Sequence, residues 1–248
     1  MAKSPPIVLA FAASDPTGGA GLQADLLTLA ARGCHPLSVV TALTVQDTRG
    51  VESLHPVEAA QVVAQARCLL ADFEVAAFKL GVLGSAANAG AIASLLKAQR
   101  ARPLVVDPVL ASGRGDPLAS ADSLSVLFPL TTVATPNIQE AQRLGGVGAM
   151  LEAGCRYVLL TGTHAEGKDV VNKLYDASGV VREDRWARLP GEYHGSGCTL
   201  ASALAAALAK GLAMPEAARD AQDYTWHALA AGFRPGAGQF IPQRFFKP

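Results

Sequence analysis

The hexapeptide HGSGCT, residues 194–199, sets a thiol behind a Gly-Ser-Gly run where an alanine-rich segment, CTLASALAAALAKGLAMPEA, begins. That segment is a strong helix former closed by Gly211 and Pro215, so Gly195, Ser196 and Gly197 fall at its N-terminus. The first N–H groups of a helix lack partners within it, and the macrodipole adds partial positive charge, so phosphates and developing oxyanions are natural occupants. Cys198 has two readings: a small buried hydrophobe packing the helix start, or a first-turn thiol whose pKa the helix end lowers. TPNIQE, residues 135–140, also has two. Asn137 and Glu140 have the spacing of a reciprocal helix cap, and equally of an amide and a carboxylate holding metal-bound waters near phosphates. Gln46, in TVQDTRG, offers one acceptor and two donors, a match for the edge of a heteroaromatic ring.

Two phosphate-binding motifs fail. GTHAEGKD (162–169) has phosphate-loop spacing until Asp169 replaces the required hydroxyl, and it leads into VVNKLY, a strand-like run rather than a helix. SDPTGGAG (14–21) lacks the dinucleotide G-x-G-x-x-G, and a plain strand-to-helix turn accounts for its glycines.

The elements that must position these residues read as alternating apolar runs and helical stretches. Strands are predicted at 7–13, 37–45, 75–83, 104–110, 131–135 and 156–162. Helices are predicted at 21–33, 57–73, 86–100, 121–128 and 137–145, with a short helical segment before Arg156. Runs rich in Val, Leu and Ile without polar alternation are buried on both faces, and such alternation builds a parallel sheet flanked by helices. Residues 169–189 read as a hairpin turning at Ala177-Ser178-Gly179, ahead of the Cys198 helix and a last helix near 215–232. Ligands of such sheets bind at the carboxyl ends of the strands, where Asp15, Gln46, Gly81, Asp107, Asn137 and Thr161 all fall.

A chain of 248 residues suits one large α/β domain spanning 1–248. Its 21 basic and 21 acidic residues balance, so no global field favours nucleic acid or an anionic membrane, and a small-molecule partner is expected. The opening apolar run is too short to span a membrane, and four scattered cysteines lack metal or redox spacing. A cytoplasmic protein with reduced thiols is expected.

Taken in order, SDPTGGAGLQADL, VVTALTVQDTRGV, FKLGVLGS, VVDPVLASGRG, TPNIQEA, VLLTGTH and HGSGCTLASALAA give a chain that resembles the hydroxymethylpyrimidine/phosphomethylpyrimidine kinases of the ribokinase-like superfamily. The resemblance implies a three-layer α/β sandwich, with a mostly parallel central sheet flanked by helices and antiparallel edge strands. It implies ATP- and Mg2+-dependent phosphorylation of 4-amino-5-hydroxymethyl-2-methylpyrimidine, then of its monophosphate, in thiamine biosynthesis, by a homodimer. Under it, Gly195, Ser196 and Gly197 match the family's anion hole. Cys198 stands where many sugar kinases carry a catalytic aspartate. Gln46 matches the glutamine that reads the pyrimidine, and Asp25, Val45, Val82 and Val109 match the substrate pocket. Asn137 and Glu140 match an Asn-x-x-Glu group near magnesium and phosphates, with Asp107 beside them and Glu140 acting through water. Thr161 and Thr163 fall at the nucleotide, in a Thr-Gly-Thr where many relatives have Lys-Gly-Gly, so the cationic contact to phosphate is either missing or supplied by Lys168. The connection between Glu140 and Arg156 is short for the family. The alternatives are a pyridoxal or pyridoxine kinase and a non-catalytic pyrimidine- or nucleotide-binding sensor.

Overall fold

The computed structural model describes residues 4–110, 118, 121–163 and 167–246. Arg114, in the expected VVDPVLASGRG motif, and the middle of GTHAEGKD lie outside these.

The apolar run 7–13 becomes β1 (Ile7–Ser14), buried except at its ends. Its alternating side chains feed two cores. Leu9 and Phe11 join one layer with Phe78, Leu80, Val62 and Ile92, while Val8, Ala10 and Ala12 join the other with Ala77, Leu22, Leu29 and Leu204. Helices on both faces make the three layers. The first layer holds α2 (Ala59–Asp72) and α3 (Ala86–Leu96). The second holds α1 (Gly21–Ala31), α7 (Ser196–Ala209) and α8 (Met214–Ala230).

Between them runs a nine-stranded sheet ordered β3-β2-β1-β4-β5-β6-β7-β8-β9. β2 (His35–Asp47), β1, β4 (Val75–Leu80), β5 (Leu104–Val106), β6 (Val133–Ala134) and β7 (Tyr157–Leu160) are parallel. The predicted hairpin is β8 (Asp169–Asp176) and β9 (Gly179–Ala187), antiparallel at one edge. The expected mostly parallel sandwich is therefore borne out. At the other edge, β3 (Gly50–Pro56) pairs antiparallel with β2, a strand the sequence reading passed over. GVESLHP has no buried residue, so no apolar pattern marks it.

Between β5 and β7 lie the short helices α4 (Ala121–Ser125), α5 (Ile138–Arg143) and α6 (Gly146–Glu152). The short 140–156 connection is closed by Gly145 and Gly146, both at positive φ (87° and 92°), which turn α5 directly into α6 and seat Met150 in the core. Helix α7 is buried from Thr199 to Ala207, and its alanines let it lie close against the sheet. Among the described residues, no helix is long and apolar enough to cross a membrane.

Candidate active site

The β-strand period places the charges. On β4, Phe78 and Leu80 face one layer, so Lys79 must face the other, where α1 and α7 lie. There its ammonium, fully buried, meets Asp25 of α1 at 2.7 Å, and Asp25 also accepts a 2.7 Å hydrogen bond from Ser202 Oγ of α7. Burial opposes the Lys79 charge, but Asp25, with Cys198 and Asp107 nearby, holds its pKa above the ordinary lysine value. Asp107 continues the parity of Val105 beyond β5 and reaches the start of α7, where a side chain on Gly197 would sit 3.6 Å from both carboxylate oxygens. Burial raises Asp107 to about 6; Lys79 and a hydrogen bond from the Cys198 thiol pull the other way, and Asp25 adds to the rise.

Helix α7 starts without a side-chain cap. Its N-cap is Gly195, at φ 79°, and a Cβ there would run into the Gly19 carbonyl. The Gly195-Ser196-Gly197 turn thus opens α7 with no side chain capping its first N–H groups, the kind of helix start that suits an anion. The facing loop is folded around Asp15, whose carboxylate accepts from Thr17 N (2.8 Å), Thr17 Oγ1 (2.9 Å), Ala20 N (2.6 Å) and His194 Nε2 (2.9 Å). Burial alone would raise Asp15, but these bonds hold it down at about 2. Arg244, buried, ties the two loops together by donating to Gly18 O and Gly19 O on one side and to Thr199 Oγ1 on the other.

Of the two readings of Cys198, the lowered pKa is not what this setting gives: burial, with the Asp107 and Asp25 charges, pushes the thiol up to about 12. Lys79 and the Gly21 N–H pull it down and do not prevail. The half-charge of a helix end is weaker than desolvation plus two carboxylates. Asp25, expected at the pocket wall, is wholly buried, with its carboxylate engaged by Lys79 and Ser202.

Asn137 and Glu140 form the full reciprocal cap of α5, Glu140 N donating to Asn137 Oδ1 and Asn137 N to Glu140 Oε2, each at 2.9 Å. Glu140 also accepts from Leu110 N–H, which draws it toward the end of β5. Burial, then the Asp107 charge, raises its carboxyl to about 7. Among the described residues, no group of three or more His, Cys, Asp or Glu could hold a metal. The two carboxylates nonetheless suit a hard divalent cation that keeps most of its waters: Asp107 Oδ2 is buried with no hydrogen-bond partner, and each charge raises the other's affinity for a cation. Thr161 lies beside Asn137, its N–H donating to Pro136 O at 2.9 Å. Gly162 N–H donates to Asn172 Oδ1 of β8, and Thr163 O accepts from Arg188. Lys168, the candidate substitute cation, is exposed on the approach to β8.

At the far end of β2, Gln46 approaches His194 and borders an open cleft of about 440 Å³ lined also by Thr17, Thr48 and Gly236. Val82 and Val109 follow β4 and β5 and are half-buried at the same edge of the sheet. Val45, next to Gln46 on β2, is 48% exposed.

The profile of the phosphomethylpyrimidine kinase family matches residues 15–243. The chain belongs to that family. A hydroxymethylpyrimidine/phosphomethylpyrimidine kinase of Streptomyces coelicolor is 43% identical over 95% of this chain and 93% of its own. The solved phosphomethylpyrimidine kinase of Clostridium difficile is 32% identical with a TM-score of 0.77, covering 90% of this chain and 99% of that one. A Bacillus subtilis pyridoxal kinase, solved as an ADP complex, superposes with a TM-score of 0.84 at 26% identity, covering 97% of this chain and 98% of that one. Backbone overlap alone does not separate the two activities; the family match and the curated relative point to the pyrimidine kinase. The expectation of a hydroxymethylpyrimidine/phosphomethylpyrimidine kinase, a phosphotransferase, is thereby borne out.

Within this phosphomethylpyrimidine kinase fold, sequence reading missed Lys79, the pairing of Asp15 with His194, and Arg244. Lys79 left a signal: a lysine at the centre of the apolar run VAAFKLGVL must find a buried partner or break the strand. Arg244, in an irregular tail, left none.

Proposed function

We propose that this protein transfers the γ-phosphoryl group of ATP to the hydroxymethyl oxygen of 4-amino-5-hydroxymethyl-2-methylpyrimidine, and then a second phosphoryl group to the resulting monophosphate, in thiamine biosynthesis. The observation that carries the reading is the uncapped start of α7, with Cys198, Asp107 and Lys79 gathered beneath it. The substrate oxygen attacks the γ-phosphorus in line, the bond to the β-phosphate oxygen breaks, and the hydroxyl proton leaves late, as suits a loose transition state. The N–H groups of Gly195, Ser196 and Gly197 hold the charge on the transferred group. Cys198, neutral at ordinary pH, positions the alcohol rather than deprotonating it. Gln46 reads the pyrimidine edge against walls that include Val82 and Val109. Val45, exposed beside Gln46, is read as part of the same wall. Asp25 serves the pocket from beneath, by holding Lys79. Asn137, Thr161 and Thr163 border the nucleotide.

Asp107, and Glu140 through water, are the residues that would hold magnesium, which when bound would offset phosphate charge. The fold is read as a single domain acting as a homodimer; exposed Leu43 and Val45 on one face of β2 are apolar area suited to a second copy. A panel of the pyrimidine alcohol, its monophosphate, pyridoxal and ribose, assayed for ADP release with ATP and magnesium, tests the assignment. Turnover of both pyrimidines is expected, and activity confined to pyridoxal would replace it with the pyridoxal kinase reading.

A further inference from the structure

Three segments far apart in sequence meet at His194. Its Nε2 lies 2.9 Å from Asp15 Oδ2 and 3.2 Å from the side-chain amide nitrogen of Gln46. Asp15 is buried, and three further donors from Thr17 and Ala20 reach its carboxylate, which stays ionised down to about pH 2. An ionised carboxylate only accepts hydrogen bonds, so His194 Nε2 must carry the proton between them. A protonated Nε2 has no lone pair to offer the Gln46 amide nitrogen. The two ends of a glutamine amide exchange by a half-turn about χ3, and the network decides between them. Here it demands the carbonyl oxygen toward His194, sharing the Nε2–H with Asp15.

The ring is held firmly enough to impose this choice. His194 N–H donates to Phe240 O at 2.8 Å, and the ring packs where Gly19 has no side chain, since a Cβ there would collide with His194 Cδ2. The charged neighbours of Gln46 do not compete, because Asp47 and Arg49 pair with each other.

We infer that Asp15 and His194 form a positioning relay that fixes the Gln46 amide in one orientation and so sets the order of donor and acceptor that the pocket presents. The inference rests on the reading that Gln46 faces the substrate ring. With one carbonyl lone pair taken by His194, the other lone pair and an N–H lie side by side toward the cleft. That edge matches an exocyclic amino donor next to an unprotonated ring nitrogen, as in a 4-aminopyrimidine. It mismatches the 4-oxo analogue, whose carbonyl and ring N–H stand in the reverse order, and which a freely turning glutamine would read as well.

Calorimetric binding of two non-phosphorylatable ligands tests this: the 5-methyl analogues bearing a 4-amino or a 4-oxo group. The native protein is expected to prefer the amino ligand by about tenfold or more, the discrimination of one bidentate amide contact. His194→Phe should bring the two affinities to within about twofold, well under the tenfold that such a contact gives. Loss of affinity for both ligands with the preference kept would mean a merely structural role and would overturn the relay, as would a native protein without preference. Gln46→Ala separates the two layers of the reading. If it keeps the preference, Gln46 does not read the ring and the inference falls with that assignment; if it abolishes the preference while folded His194→Phe retains it, the relay alone fails. Nitrogen-15 resonances of labelled histidine in the native protein decide the case without mutation, including one in which His194→Phe does not fold: a protonated Nε2 on His194 is required, and an unprotonated one overturns the proposal.

Discussion

Two helices begin at the carboxyl edge of the same sheet, and their first turns are built in opposite ways. Helix α5 closes on itself: Asn137 and Glu140 satisfy each other's backbone N–H groups, so its start is complete without a ligand. Helix α7 begins at a glycine in the left-handed region, has no side-chain cap, and sits over the buried charges of Lys79, Asp25 and Asp107. The α5 turn contributes stability, while the α7 turn keeps its donors available and depends on charges beneath it. In sequence the two look alike only in placing small or polar residues just before a helix.

The largest effect should come from removing the cation under α7. Lys79→Met leaves Asp25 buried and unpaired, and should lower unfolding free energy in urea by about 3–5 kcal/mol. Asp25→Asn added to it should restore part of that loss. A loss below about 1 kcal/mol, the range of a surface pair, would show that the ion pair is not what supports this helix start.

Asp107 tests whether the open end carries a stability cost that the closed end lacks. Its folded pKa is raised from 3.8 to about 6, so the folded protein holds the extra proton between those values. In metal-free protein this contribution is fully present below pH 3.8 and is lost as pH rises through about 6. Asp107→Asn should therefore be more stable than the parent at pH 8, by on the order of 2 kcal/mol, while turnover falls. Equal thermal stability of the two at that pH would place the carboxylate in a less strained setting.

The closed end offers a smaller and separable effect. Asn137→Ala should lose about 1 kcal/mol, the worth of a helix cap, and Asn137→Ser, which keeps a capping oxygen, should regain most of it. If Asn137 also borders the nucleotide, the serine variant will recover stability but keep a raised KM for ATP. Full recovery of both would leave Asn137 a cap alone.

The alternation of strands and helices was legible because strands buried on both faces read as unbroken apolar runs, as in IVLAFAAS of β1. Where burial is partial the reading failed, and β3, with no buried residue, passed unseen. LVVDPVL read as a seven-residue strand but gives only Leu104–Val106, since Asp107 turns to the site and Pro108 has no N–H for the ladder. The site's motifs were legible in their order; their couplings were not. Lys79 and Asp25 are 54 positions apart, and Asp15 and His194 179 apart, so neither pair has a local pattern to announce it.

Cys198 shows most sharply what local reasoning omits. Position in the first turn of α7 argues for a reactive thiolate, whereas burial and two nearby carboxylates push the thiol up to about 12. A group that stays protonated at neutral pH has no proton-accepting role to lose. Cys198→Ser, which keeps a small hydrogen-bonding group, should therefore retain turnover within about tenfold, well short of the 10²–10⁴ that a general base contributes. The alkaline limb of its pH–rate profile should match the parent's, and iodoacetamide should modify the native thiol slowly. A drop of about a thousandfold in the serine variant, with an alkaline inflection lost at the same time, would restore the thiolate as the base. It would also mean that the open end of α7 outweighs burial at this one atom.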